Sequence, residues 1–295
     1  MKKFGKIMAA VMAGAMMVGS FAACGGNTDD AGATGDATTG DLLARIKANG
    51  EIIMVTNAQF PPFEYLGDDG AVAGVDRDIA QAIADKIGVK LTVKDTQFDS
   101  ILGELTAGKS DIAVAGLTVT PERSEEVDFS DSYFTSIQYF IVPEGSDIKT
   151  VEDLAGKRVG VQRGTTGDIL MDEANNGSYD GDVKVADGVL EANNAEIVPM
   201  QSAIEATQDL INGRLDAVVI DKLPAESLVA QNEGQGLTCF ELTYADGSKT
   251  DEQYAVAVPK GEDSASLLAV INEVISELKA NGKLDESIVN HSAVA

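Results

Sequence analysis

Four short apolar runs punctuate the chain: Ile52 to Val55, Asp111 to Leu117, Val159 to Val161 and Leu215 to Ile220. Each is too short for a helix, so they predict buried strands. The segments between them carry helical spacing. From Asp78 to Lys86 the isoleucines at 79, 83 and 87 fall on one face, with Gly88 behind them. Ser100 to Ala107 predicts a second helix ending at Gly108, and Thr150 with Asp153 three residues on opens a third that stops at Gly156. Ser202 with Glu205 starts a fourth, closed by Gly213. The last, Ser266 to Ala280, aligns Leu267, Leu268, Ile271, Val274, Ile275 and Leu278 in one stripe before Gly282. Strands alternating with helices predict an α/β fold.

One phrase occurs twice. Leu105-Thr106-Ala107-Gly108-Lys109-Ser110-Asp111 leads into one strand, and Leu210-Ile211-Asn212-Gly213-Arg214-Leu215-Asp216 into another. Helix, glycine, base, acid and strand recur in the same order. Eight residues past the two glycines stand Gly116 and Asp221, at equivalent carboxyl ends of strands. Ligands of open α/β sheets bind outside those ends, so the repeat predicts two similar lobes facing one crevice.

The first residues add a different element. Lys2, Lys3 and Lys6 precede an uncharged apolar run from Ile7 to Met17 and then Phe21-Ala22-Ala23-Cys24. This pattern predicts a secretory signal over 1–23, cut before Cys24. It resembles a bacterial lipoprotein signal, in which that cysteine is lipid-modified, with Phe21 in place of the usual leucine. Gly25 to Gly40 holds no large apolar residue, so 24–40 is expected to be a flexible tether. About 255 residues remain from Asp41, enough for two lobes. With Cys24 acylated, Cys239 has no partner and no disulfide framework is expected.

Formal net charge is -26, and cleavage of the signal removes three lysines and no acid. Such a chain repels nucleic acid and anionic headgroups. A site for carboxylates must therefore build its own positive potential. The segment Ala115-Gly116-Leu117-Thr118-Val119-Thr120-Pro121-Glu122-Arg123 has the parts to do so. Thr120 suits an N-cap and Pro121 the first helical position, which puts Arg123 in the first turn, where free N–H groups attract anions and a planar fork binds a carboxylate at two points. The same four residues also fit a plain capped helix start with a solvated arginine.

Together with Phe60-Pro61-Pro62-Phe63-Glu64-Tyr65, Gly74-Val75-Asp76, Val127-Asp128-Phe129-Ser130 and Gly164-Thr165-Thr166-Gly167, these residues resemble the extracellular solute-binding proteins of amino-acid ABC transporters, family 3. The resemblance runs from Asp41 to about Gly282. It implies a type 2 periplasmic-binding-protein-like fold: two Rossmann-like lobes joined by a two-segment hinge, one over 41–140 and 253–295, the other over 141–252. It implies that Arg123 clamps a ligand α-carboxylate with help from Thr118 and from the N–H groups of Thr165 and Thr166. Gly116 and Asp221 would take the α-ammonium, and Phe60 and Phe98 would stack on the ligand side chain. Asn57 stands where relatives for basic or amide side chains often carry an aspartate, which puts neutral polar ligands ahead. Arg163, before Gly164, would favour an acidic side chain if it faced the pocket, but most such arginines are solvated. The stretch from Met171 to Val198 is longer and more polar than the family pattern.

The function implied is capture of an L-amino acid and its delivery to a membrane permease driven by a separate ATPase, by a monomeric lipoprotein outside the cytoplasm. No cofactor, metal or nucleic acid is called for. The sole histidine, His291, leaves Ser-His, Cys-His and multi-histidine zinc chemistry without raw material. Asp180, Asp182 and Glu191 imitate part of a calcium loop, but Lys184 and Val185 occupy positions that loop needs for a ligand and a glycine. A carboxylate-driven dehydratase or lyase, and an amino-acid sensor without a transporter, stand as the alternatives.

Overall fold

The computed structural model describes residues 40–180 and 183–293. The expected signal sequence, Cys24, nearly all of the tether and Asp182 lie outside them.

Two five-stranded sheets organise the body, and their topologies match. In the first the order is Lys90–Asp95, Glu51–Thr56, Ile112–Ala113, Ala257–Pro259, Val127–Phe129. The first three run parallel and Ala257–Pro259 is antiparallel to both neighbours. In the second the order is Glu196–Met200, Arg158–Gln162, Ala217–Asp221, Gln138–Pro143, Leu237–Glu241, again three parallel strands followed by an antiparallel one. The first sheet thus receives one strand, Ala257–Pro259, from a segment distant in sequence, whereas the second is built from the continuous stretch 138–241. A two-stranded ribbon carries the chain across both times: Phe134–Ser136 pairs antiparallel with Glu252–Tyr254. The strand Gln138–Pro143 spans the first expected boundary and the ribbon strand Glu252–Tyr254 spans the second.

The repeated phrase has a structural counterpart. Gly108 and Gly213 close their helices with φ of 67° and 68°. The Asp111 carboxylate accepts the N–H of Ile53 at 2.8 Å, and that of Asp216 accepts the N–H of Arg158 at the same distance. Each acid ties the start of one parallel strand to its neighbour, so the short sequence phrase is a strand-pairing device used once per sheet.

Most predicted helices form, with shifts at their ends. The helix expected over 78–86 runs Val75–Ile87, and the last runs Ala265–Ala280. Ser202 caps Ala203–Ile211 by accepting the N–H of Glu205. The Thr150/Asp153 capping box is present but starts only a 3-10 turn, Val151–Leu154, because Gly156 follows within two residues. Leu42–Asn49, Lys222–Gln231 and Lys283–Ser292 are helices that the sequence reading did not predict. Lys283–Ser292 follows Gly282, buries Leu284 and packs beside the helix Val75–Ile87. Its His291 ring bonds the Asp78 carboxylate at 3.0 Å and the Tyr65 hydroxyl at 2.8 Å. The polar stretch after Met171 becomes the helix Thr166–Asn176 and a hairpin of Ser178–Asp180 with Val183–Ala186. Glu191 there pairs with Lys184 at 2.7 Å. Cys239 is half-buried against the core, and its thiol pKa is raised by that burial.

Candidate functional site

The carboxyl ends of the parallel strands face each other across one small cavity. Five of its residues belong to the first lobe. Phe60 comes from the meander of Gln59–Phe60, Glu64–Leu66 and Val72–Ala73, Phe98 opens the 3-10 turn Phe98–Ser100, and Gly116, Thr118 and Arg123 follow the strand Ile112–Ala113. Thr165, Thr166 and Asp221 come from the second. Eight of the nine residues expected at the site therefore share one wall.

Arg123 is placed by its own helix start. Thr120 accepts the Arg123 N–H at 3.2 Å and Pro121 takes the first helical position. The side chain turns inward and is only 7 % exposed. Its two hydrogen bonds go to backbone carbonyls, Thr118 O at 2.9 Å and Gly164 O of the opposite lobe at 3.1 Å, and its charge lies 5.5 Å from the centre of the Phe98 ring. Burial lowers its pKa, while Glu252 and Asp221 oppose the shift. An arginine stays charged under such conditions, so a buried cation holds spare donors for an anion.

Asp221 ends the strand Ala217–Asp221 and stands at the N-cap of the helix Lys222–Gln231, yet makes no capping bond. Its carboxylate instead accepts the Tyr254 hydroxyl and, at 3.0 Å, the Gln138 amide. Burial and the neighbouring Glu252 push its pKa well above the ordinary carboxylate range. A cation brought to it restores the charged form.

The remaining N–H donors come from the helix Thr166–Asn176. Thr165 is its N-cap and closes the preceding turn with its own N–H on Gln162 O at 3.3 Å. The Thr166 N–H has no intrahelical partner, which makes it the better anion donor of the two.

Gly116 fits only as glycine. Its φ is 52°, and a Cβ would lie 2.6 Å from Phe60 Cε1. Its N–H is held by Asp76 at 2.6 Å. Asp76 is itself wholly buried, which raises its pKa to about 6 although the neighbouring Glu64 and the Gly116 N–H oppose the shift. Burial and the neighbouring Asp76 push the Glu64 pKa well above the ordinary carboxylate range. Gly116→Ala is expected to lower stability by about 1–2 kcal/mol through the left-handed backbone alone, with a further loss as the Phe60 ring is displaced. Thermal unfolding reads this as a lower midpoint; an unchanged midpoint would contradict the packing described.

One expectation needs correction, and one question the sequence left open is answered. Asn57 does not line the cavity. Its amide donates to Thr96 O at 2.7 Å and its oxygen accepts Gln162 of the other lobe at 2.9 Å, so it links the lobes beside the site. Arg163 is exposed and bonds Pro199 O at 3.3 Å, because the turn after Gln162 points it outward. Sequence reasoning missed Gln138, Glu252 and Tyr254, the buried polar residues of the connecting segments. Their signal was alternation: Glu252 and Tyr254 are buried on either side of exposed Gln253.

Residues 52–291 match the family model described as bacterial extracellular solute-binding proteins, family 3. The chain belongs to this family. As a family 3 solute-binding protein it is 30 % identical to a probable histidine-binding protein of Neisseria gonorrhoeae, over 93 % of this chain and 91 % of that one. It is 32 % identical to an L-arginine-binding protein of Pseudomonas aeruginosa, over 77 % and 82 % of the two chains. Among solved structures, AbpA of Streptococcus pneumoniae bound to L-arginine superposes with a TM-score of 0.73 at 30 % identity, covering 85 % of this chain and 98 % of that one. A variant of ArgBP from T. maritima gives 0.72 at 35 % identity, covering 85 % and 99 %. The two-lobed fold of family 3 proteins is thereby established, as is kinship with amino-acid-binding proteins of ABC transporters. These relatives are binding proteins rather than enzymes. Among the described residues no helix is long and apolar enough to cross a membrane.

Proposed function

We propose that this family 3 protein captures an L-amino acid between its lobes and hands it to a membrane permease powered by a separate ATPase, while held to the membrane by a lipid on Cys24. The observation that carries the proposal is the meeting of Arg123 from one lobe and Asp221 from the other at a single cavity. One offers donors to a carboxylate and the other an acceptor for an ammonium, at a separation fixed by the backbone of two different sheets. A zwitterion then meets an opposite charge at each end and leaves neither end buried and unpaired. Gly116 O is assigned as a further acceptor for the ammonium, with Thr118 beside it and the Thr166 N–H on the carboxylate side. Phe60 and Phe98 supply apolar wall for the side chain.

The ribbon is the hinge in this proposal. A ligand that touches both lobes only when they are shut favours the shut form, and the permease reads that form. Arg163 no longer argues for an acidic ligand, since it faces away. With Asn57 also outside the cavity wall, neither residue ranks the ligands, and relatives named for histidine, arginine, cystine and glutamine set the panel to be tried. The test is a thermal-shift screen of the common L-amino acids, since a ligand that binds only the native protein raises its melting temperature. A positive shift from one amino acid supports the proposal. No shift from any of them would refute it.

A further inference from the structure

Glu252 lies behind the cavity rather than in its wall, on the ribbon strand Glu252–Tyr254, and is 5 % exposed. Its Oε2 accepts two hydroxyls, Thr118 of the first lobe at 2.8 Å and Thr166 of the second at 2.7 Å. Its Oε1 accepts the Gln138 amide at 2.7 Å. The same amide nitrogen reaches Asp221 at 3.0 Å and Thr166 Oγ1 at 3.3 Å.

A hydroxyl has one hydrogen and two lone pairs. Thr118 and Thr166 both line the cavity, and both donate that hydrogen backward to Glu252. Toward the cavity each hydroxyl then offers only lone pairs. We propose that Glu252 is a positioning residue for ligand choice: by drawing the hydrogens of both threonine hydroxyls it keeps them as acceptors, so that the site demands a ligand with an ammonium and rejects the same carboxylate without one.

The inference rests on the amino-acid proposal above and deepens it. Glu252 touches no ligand in this account and acts through the two threonines. Gln138 gives the device its direction. Its amide nitrogen is a donor, so it requires an acceptor at the Oε1 position of residue 252. In Glu252→Gln the new side chain must therefore turn its oxygen toward Gln138 and its nitrogen toward the threonines. That nitrogen donates to both hydroxyls and turns their hydrogens into the cavity. The contacts survive and their polarity reverses.

The experiment is calorimetry on wild type and Glu252→Gln with L-arginine, L-glutamine and L-histidine, each beside its des-amino analogue: δ-guanidinovalerate, glutaramate and imidazolepropionate. For whichever pair binds, the wild-type preference for the amino acid is expected to fall about tenfold or more in the variant, the scale of one or two hydrogen bonds to a charged group. The affinity of the des-amino compound is expected to hold or improve. Equal weakening of both members of the pair would assign Glu252 a packing role and overturn the inference, as would an unchanged preference. Should Glu252→Gln fail to fold, Thr118→Val leaves the ribbon intact and is expected to lower the same preference; no change there is equally fatal. Wild-type protein that binds none of these and no other common amino acid refutes the amino-acid proposal itself, and this inference with it.

Discussion

Replacing Arg123 with alanine is expected to abolish amino-acid binding. The guanidinium is buried and its recorded bonds leave donors free, so it is the one cation available to a carboxylate in the cavity among the described lining residues. Its removal forces that carboxylate to be buried unpaired, at about 3–5 kcal/mol, a loss of a hundredfold to several thousandfold in affinity. The empty protein tolerates the change better. Arg123 bonds two carbonyls and no carboxylate there, so its loss costs little more than two ordinary hydrogen bonds. Calorimetry with the best amino acid from the screen checks the first effect and thermal unfolding the second. Affinity within threefold of wild type would remove Arg123 from the site.

Asp221→Asn is expected to weaken the same ligand about a hundredfold, because the ammonium loses its countercharge in a dry site. Here the empty protein moves the other way. A buried acid whose folded pKa is raised binds its proton more tightly in the folded than in the unfolded state, so it stabilises the fold at low pH and progressively less as pH rises through the raised value. At neutral pH the ligand-free variant should melt at or above wild type, and the difference should shrink as pH falls toward the ordinary aspartate range. Binding follows the opposite slope. The ammonium needs the ionised form, so wild-type affinity rises with pH until Asp221 is fully ionised in the free protein, with proton release on binding below that point. Asp221→Asn removes this dependence. Calorimetry in buffers of different ionisation enthalpy measures the released proton; equal proton release in both proteins would assign it elsewhere.

Much of this site was legible because it is built on local grammar. The cap, proline and arginine of 120–123 fix where one side chain points within a single turn, and structure and sequence agree there. The doubled helix-glycine-acid phrase marked Gly116 and Asp221 as equivalent strand ends, and the two sheets do share one strand order. What stayed hidden depends on contacts between distant segments. Nothing near Glu252 says that its carboxylate will meet hydroxyls 134 and 86 residues away. Asn57 sits beside the ligand loop in sequence, yet Thr96 and Gln162 claim its amide. The helix Lys283–Ser292 was missed for a similar reason. Its one buried leucine and its histidine gain their meaning only against the helix Val75–Ile87.

Apart from the bonds made by the connecting ribbon and its flanking strand, the lobes are joined around the cavity by Asn57 to Gln162 and by Arg123 to the carbonyl of Gly164. Both are polar, and every group in them finds equal partners in water once the halves part. Prying the jaws apart therefore exposes no greasy seam at these points. In the carrier role proposed above, cargo must be surrendered as readily as it is collected, and a clasp made of such replaceable bonds would open at little cost, time after time.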